Sequence, residues 1–164
     1  MITAARNDHA TSKWLLCRAA EHTCGLPIAA VRLTLRRPHL QSWEGEDTLQ
    51  KTALTDGVAM IRGELVPVVS LGRLLSGQAA ADERRLILLA VGGRRVALGV
   101  STVLGVRALP AATLAALPPL LDDERGTFVE RLGQVDGELL LALRTARLLT
   151  EGSLAKARNS EVSS

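Results

Sequence analysis

A chain of 164 residues with 47% hydrophobic and 23% charged side chains holds enough apolar material for one compact domain or two small lobes sharing a core. Its 20 basic residues, 17 of them arginine, exceed 17 acidic ones by a net +3; the pairs Arg36-Arg37, Arg84-Arg85 and Arg94-Arg95 are interleaved with acids, which reads as solvated faces and loop edges rather than a nucleic-acid footprint. Only Trp14, Trp43 and Phe128 are aromatic, too few for a row of base-stacking platforms, and no apolar run reaches the ~20 residues of a membrane helix.

Residues 1–12 lack apolar periodicity and are too polar for a signal peptide, so they read as a disordered start to a cytoplasmic protein. Strands follow near 14–19 and 24–34, joined by a turn around Ala20, Glu21 and His22. Cys17 and Cys24 flank that turn and can face each other across two strands. A disulfide is geometrically possible, but in a reducing compartment the pair reads as two small, half-buried hydrophobes. The polar stretch Arg36 to Thr55, with Trp43 and Gly45, reads as loop. Strands near 58–62 and 64–70 flank Arg62-Gly63, and strands near 86–91 and 94–101 flank Gly92-Gly93. Pro110 to Leu121 reads PAATLAALPPLL; alanine and leucine favour a helix that Pro118-Pro119 ends. Strands near 128–135 and 138–143 flank Asp136-Gly137, among the strongest hairpin dipeptides. From Arg144 one or two helical turns are expected, interrupted near Gly152, with 151–164 as a helix or tail and 159–164 disordered.

The chain repeats itself. Ile61 to Leu75 reads IRGELVPVVSLGRLL and Val135 to Leu149 reads VDGELLLALRTARLL, so Gly-Glu-Leu and Arg-Leu-Leu recur at one offset of 74 residues. Leu15-Leu16 matches Leu88-Leu89 at 73, and Leu26, Ile28 and Val31 match Leu98, Val100 and Val103 at 72. Each half reads hairpin, irregular connection, second hairpin, apolar tail. The expected fold is all-β: two pseudo-equivalent, interleaved lobes of roughly 70 residues each, leaning on one another within one domain over 13–150. Superposing the halves should bring Gly63 onto Gly137.

Catalytic residue types are poorly supplied. No serine sits in a G-x-S-x-G frame, and no G-x-x-x-x-G-K or helix-opening G-x-G-x-x-G is present. His9, His22 and His39 are isolated, without metal-ligand spacing. Asp122, Asp123 and Glu124 cluster, but between a proline pair and Arg125-Gly126, where a solvated loop is the simpler reading. The chain reads as a binding module without enzymatic activity or cofactor.

Three stretches, GVAMIRGELVPVVSL, VGGRRVALGVSTVLGV and VDGELLLALRTARLL, in this order and spacing, resemble the CheW-like chemotaxis coupling proteins. The likeness runs from about Trp14 to Leu149, and Arg62-Gly63 followed by Val66-Pro67-Val68 carries most of it. It implies two five-stranded, SH3-like β-barrels around a hydrophobic centre. It also implies a non-enzymatic scaffold coupling the cytoplasmic tips of methyl-accepting chemoreceptors to the regulatory domain of a CheA-type histidine kinase, without nucleic-acid binding or membrane insertion. An alternative is a regulatory module that binds a kinase or other signalling enzyme without a receptor.

Three acids of the family pattern are missing. Leu33 stands where an acid ordinarily pairs the arginine matching Arg62; Ser70 replaces the acid of Pro-Val-x-Asp-Leu, and Ser101 that of Val-Asp-x-Val. The resemblance therefore implies a divergent member with weakened kinase binding. The expected receptor- and kinase-binding residues are Val31, Leu33, Gly57, Arg62, Gly63, Leu65, Ser70, Val100, Ser101 and Leu104. Gly57, Gly63, Gly93 and Gly137 read most simply as turn residues, and Val31, Leu65, Val100 and Leu104 as core. Arg62 is the favoured anchor, beside an apolar inter-lobe groove that Val31 and Leu33 help to line.

Overall fold

A computed structural model describes residues 11–41, 55–78, 82–116, 128–145 and 147–148. Eleven strands make two sheets: β1 (Thr11–Ala19), β2 (His22–Pro27), β3 (Val31–Arg36), β4 (Thr55–Ile61), β5 (Glu64–Ser70), β6 (Arg85–Val91), β7 (Arg94–Val100), β8 (Thr102–Pro110), β9 (Leu114–Ala116), β10 (Val129–Val135) and β11 (Glu138–Leu143). One sheet runs β8-β1-β2-β11-β10-β9 and the other β3-β6-β7-β5-β4.

The interleaving takes a definite form. Each sheet takes its leading hairpin from one sequence repeat and its remaining strands from the other. The chain changes sheet at Ile28–Ala30, a 3-10 turn after Pro27, and again at Ser101 between β7 and β8. The expected strand 24–34 is therefore two strands. Proline cannot continue the ladder, and the turn behind it redirects the chain.

The pairing registers repeat with the topology. In β3 against β6, Val31 faces Leu89 and Leu33 faces Leu88, with a bulge between; in β8 against β1, Val103 faces Cys17 and Gly105 faces Leu16, with the same bulge. Hairpins β1–β2 and β6–β7 close at Ala19–His22 and Val91–Arg94, an offset of 72 residues. That offset holds for the whole hairpin, so the structural partner of Leu16 is Leu88 rather than Leu89. Hairpins β4–β5 and β10–β11 close at Ile61–Glu64 and Val135–Glu138, an offset of 74. Gly63 and Gly137 thus occupy equivalent turn positions, as the repeat predicts.

Alternate residues of each strand face opposite ways, and both faces of the central strands are buried. Leu15 and Cys17 of β1, with Ile87 and Leu89 of β6, enter a core shared by the two sheets. Trp14 and Leu16 face the six-stranded lobe's own cluster, and Leu86 and Leu88 that of the five-stranded lobe. Among the described residues the shared core holds nineteen buried residues against seven and six in the lobe clusters, so neither lobe keeps its main apolar surface without the other. Cys17 and Cys24 are register partners, fully buried free thiols within this core. A hydrogen bond with Cys17, and then burial, push the Cys24 thiol above its usual range, which suits packing rather than thiolate chemistry.

The expected all-β fold of two SH3-like lobes is present, with six strands in one sheet and five in the other among the described residues. Three expectations need correction. Thr11 and Ser12 are ordered, paired with Pro110 and Leu109 of β8. The segment after β8 does not form the expected helix: Ala111–Thr113 is a 3-10 turn and Leu114–Ala116 pairs with β10. Helix propensity yields there to strand pairing, helped by Gly133, whose missing side chain leaves room for Leu114. Finally, Gly57 lies in a bulge of β4 rather than in a turn. The helical turn expected after Arg144 is present at its start, where Leu148 N–H donates to the Arg144 carbonyl at 3.3 Å and Leu148 is buried. The polar loop between Arg36 and Thr55 lies mostly outside the described residues, as do the Pro118-Pro119 stop, the carboxylate cluster 122–124 and the chain ends 1–10 and 149–164.

Candidate functional site

Hairpin β4–β5 turns through Arg62 and Gly63, both with left-handed backbone (φ 51 and 81), as a two-residue turn matching strand twist requires. Glycine adopts this conformation freely; an arginine there costs on the order of 1 kcal/mol. The Arg62 side chain is exposed and has no ion pair among the described residues. Beside it, the register partners Met60 and Leu65 are 53% and 50% exposed. Two large apolar side chains thus stand together in water, flanked by the Arg62 guanidinium. Such a group suits a protein partner, because anchoring arginines and apolar contacts recur at the centres of interfaces.

The equivalent turn of β10–β11 uses Asp136 and Gly137 at φ 53 and 81. There the charge is satisfied: Arg107 Nη1 of β8 lies 2.6 Å from Asp136 Oδ2. Hydrogen bonding and charge hold the Asp136 carboxyl below its usual range and raise the Arg107 guanidinium. Glu138, just past the turn, accepts from Arg18 at 2.7 Å and from Thr23 Oγ1 at 3.2 Å.

The ten expected site residues divide three ways. Arg62, Gly63, Leu65 and Leu104 are exposed; Val31, Leu33 and Ser101 are half-buried; Gly57, Ser70 and Val100 are buried. Val31 packs on the shared core and Leu33 on the five-stranded lobe's cluster. They sit on β3 at one edge of that sheet, while β4, which leads into Arg62, forms the other edge. An acid at position 33 would meet this apolar cluster, so the leucine serves packing. Gly57 permits a backbone crossing: a Cβ there would lie 2.7 Å from the Gln41 carbonyl oxygen, and Gln41 pairs with Val58 on β4.

Ser70 is inaccessible, and its role is structural. Its Oγ accepts from Arg73 N–H at 3.1 Å, capping the short helix Leu71–Ser76, a task serine performs as well as aspartate. Its hydroxyl also donates to Glu83, a buried carboxylate arriving from the loop before β6. Arg37 approaches Glu83 at 3.4 Å and Asp56 at 3.3 Å, and Arg73 approaches Asp56 at 2.9 Å. Burial raises the Glu83 carboxyl above its ordinary value; the Ser70 hydrogen bond and Arg37 oppose the shift, and Asp56 adds to it. The negative charge missing at position 70 is thus supplied nearby, at position 83.

Ser101 lies where the chain changes sheet, its N–H donating to the Arg18 carbonyl at 2.8 Å and its Oγ to Asp82 at 3.4 Å. It lines an inter-lobe cleft of about 930 Å³ with Arg36, Arg37, Arg84, Arg85 and Leu104. The expected groove residues Val31, Leu33 and Arg62 are not among its lining. Leu104 also borders a second recess of about 480 Å³ beside Arg107 and Asp136. Sequence reasoning passed over Met60, together with exposed Val106 and Leu139; burial class at strand ends depends on which face the sheet buries, and an apolar residue carries no mark of that.

The CheW-like domain family matches residues 13–153. The chain belongs to this family. Among solved structures it is similar to that of the scaffolding protein TtCheW from Thermoanaerobacter tengcongensis, at 20% identity and a TM-score of 0.68, covering 82% of this chain and 90% of that one. No curated protein matches the sequence. The CheW-like assignment agrees with the two-lobed pairing pattern, and the family's role is that of a chemotaxis signalling scaffold. Among the described residues no group of three or more His, Cys, Asp or Glu side chains is placed to hold a metal, and no helix is long and apolar enough to cross a membrane.

Proposed function

We propose that this protein is a non-enzymatic cytoplasmic adaptor that couples chemoreceptor tips to a CheA-type histidine kinase. The observation that carries this reading is the exposed pair Met60 and Leu65 beside Arg62, which has no ion-pair partner among the described residues, on a turn that holds arginine against its backbone preference. A receptor helical hairpin laid on this face buries the two apolar side chains, worth ~25 cal/mol per Å² removed from water, and meets Arg62 with a carboxylate or helix C-terminal carbonyls.

Kinase docking is the second partner interaction. Its proposed weakening now rests on Ser101 and the arginines around the cleft, because Ser70 cannot touch a partner. Separate pull-downs with a receptor tip and with a kinase regulatory domain test the reading. Arg62→Ala and Leu65→Asp should each lose the receptor while leaving the fold intact, and Leu33→Asp is a poorer probe because it places a carboxylate against the lobe core. Receptor capture unchanged in both Arg62→Ala and Leu65→Asp contradicts the site.

A further inference from the structure

The Glu83 carboxylate is buried among charges as well as hydrocarbon. It accepts from the Ser70 hydroxyl and from the Gly72 N–H at the start of the helix Leu71–Ser76. Arg37 Nη1 stands 3.4 Å from Glu83 Oε2 and its Nη2 3.3 Å from Asp56, while Arg73 lies 2.9 Å from the other oxygen of Asp56. Two arginines and two carboxylates thus alternate along one chain of contacts. Glu83 ends that chain, with only 3% of its side chain exposed. Four separate segments meet here: the exit of β3, the opening of β4, the helix after β5 and the residues before β6. Gly99 of β7 makes the room. A Cβ there would collide with the Glu83 carboxylate and lie 2.9 Å from Arg37 Nη1.

The fold does not require this ionic corner. Under the pairing pseudo-symmetry, Thr11, Leu109 and Pro27 stand where the five-stranded lobe has Glu83, Arg37 and Gly99. Leu109 is buried in the other lobe's apolar cluster, so the same architecture closes that corner with hydrocarbon. A buried ion pair is weak evidence of stabilisation, since desolvation offsets the attraction. At Glu83 the opposing influences are visible. Burial is the largest and opposes the ionised carboxyl, as the Asp56 charge also does; Ser70, Arg37 and Gly72 favour it. Other charges stand further out: Arg84 and Arg85 share the cleft wall, and Asp82 turns to Ser101 at 3.4 Å. The closed corner therefore holds a proton on Glu83 more tightly than an open one would.

We propose that Glu83 is the bolt of a proton-linked latch at the end of the five-stranded lobe. With its proton in place, Glu83 locks the residues before β6 onto the helix Leu71–Ser76 and beside Arg37. As the proton leaves, a charge must stay buried opposite Asp56 or the corner must open to water. Opening releases the residues before β6 and loosens the first turn of the helix, a local event that leaves the shared core closed. By linkage, the closed state is favoured below the carboxyl's solvent-exposed pKa, and that preference is lost as pH rises through the raised value of the buried group. Acid thus tightens this corner and neutral pH loosens it, the reverse of a corner held by carboxylates whose pKa is lowered. The latch involves neither the Arg62 turn nor any partner.

Native-state hydrogen exchange on the full-length protein, stepped from acid to neutral pH and corrected for intrinsic exchange, tests the latch. The reporters are the Arg37 N–H, held by the Arg84 carbonyl, and the Gly77 N–H, held by the Arg73 carbonyl. Their protection should fall as pH rises, by up to about tenfold per pH unit, the limit for one proton released per opening. Amides of the β1–β2 hairpin should keep their protection over the same range, and Glu83→Gln should abolish the slope at the reporters. A carboxyl titration of Glu83 by carbon NMR needs no variant: its midpoint should lie above that of an exposed glutamate. Ser70→Ala should move that midpoint up and Asp56→Asn should move it down, which a merely structural corner would not do. A midpoint at or below the exposed value, a slope that survives Glu83→Gln, or an equal loss in the β1–β2 hairpin overturns the proposal. So does a midpoint that stays unchanged in both Ser70→Ala and Asp56→Asn.

Discussion

The turns Arg62-Gly63 and Asp136-Gly137 are the same device made twice: equal backbone angles, equal pairing registers, equivalent places in two sheets. They differ in how their surroundings treat the charge. Asp136 is tied to Arg107 on the neighbouring edge strand, whereas Arg62 projects without an ion-pair partner among the described residues, next to exposed Met60 and Leu65. Because the fold is common to both, the difference isolates what the fold does not need. Turn geometry accounts for glycine at 63 and 137; it does not account for arginine at 62.

The largest expected effect tests the premise that the two turns belong to one cooperative body. Leu98→Ala, in the shared core and fully buried, should cost ~2–5 kcal/mol and shift one common unfolding transition, seen alike by probes in either lobe during denaturant titration. Two separated transitions would mean the lobes are independent and the comparison only formal.

Next comes the bulge where the halves diverge. Gly57→Ala, at φ 148 with Gln41's carbonyl in the way, should cost ~1–3 kcal/mol. The equivalent position is already Arg131, and Arg131→Ala should change stability little. Equal effects in thermal denaturation would remove the asymmetry argued for the two bulges.

How much of this was legible beforehand follows from what each feature depends on. Hairpins were readable because their turns use dipeptides of fixed geometry and their strands alternate or run apolar. The repeat was readable because both halves keep the same registers. The exchange of strands between lobes was not, since which hairpin pairs with which is a long-range choice that neither Pro27 nor Ser101 announces. β9 was hidden by alanine-rich composition, and Gly133, which admits it, looks like any glycine. Among the expected site residues, Arg62 and Gly63 are exposed as a turn requires, whereas Leu65 and Leu104, which read as core, are exposed as well. Ser70 was misread because a cap and a surface acid share one residue type, and the compensating Glu83 comes from a different segment.

Arg62→Gly sharpens the comparison at smaller scale. Relief of the left-handed arginine should leave the fold as stable or raise stability by ~1 kcal/mol, measurable as an unchanged or higher thermal midpoint. Asp136→Gly gains the same relief but loses the Arg107 contact, so its net change should be smaller.

The smallest expected effects are pH slopes of opposite sign. Glu83 binds its proton more tightly when folded, so its contribution to stability is fully present below its unfolded pKa and falls as pH rises through that value toward the folded one. Asp136 is lowered, so its contribution is present above its unfolded pKa and is lost as pH falls through the folded one. In denaturation series between acid and neutral pH, Glu83→Gln should remove the first slope and Asp136→Asn the second; an unchanged profile in either variant removes that group from the account.

The most direct measurement of the central claim is a calorimetric titration of a chemoreceptor tip into the parent protein, Arg62→Gly and Asp136→Gly. The account predicts that Arg62→Gly loses binding while remaining folded, and that Asp136→Gly binds as the parent does. Equal affinity across all three, or equal loss in both variants, would contradict it.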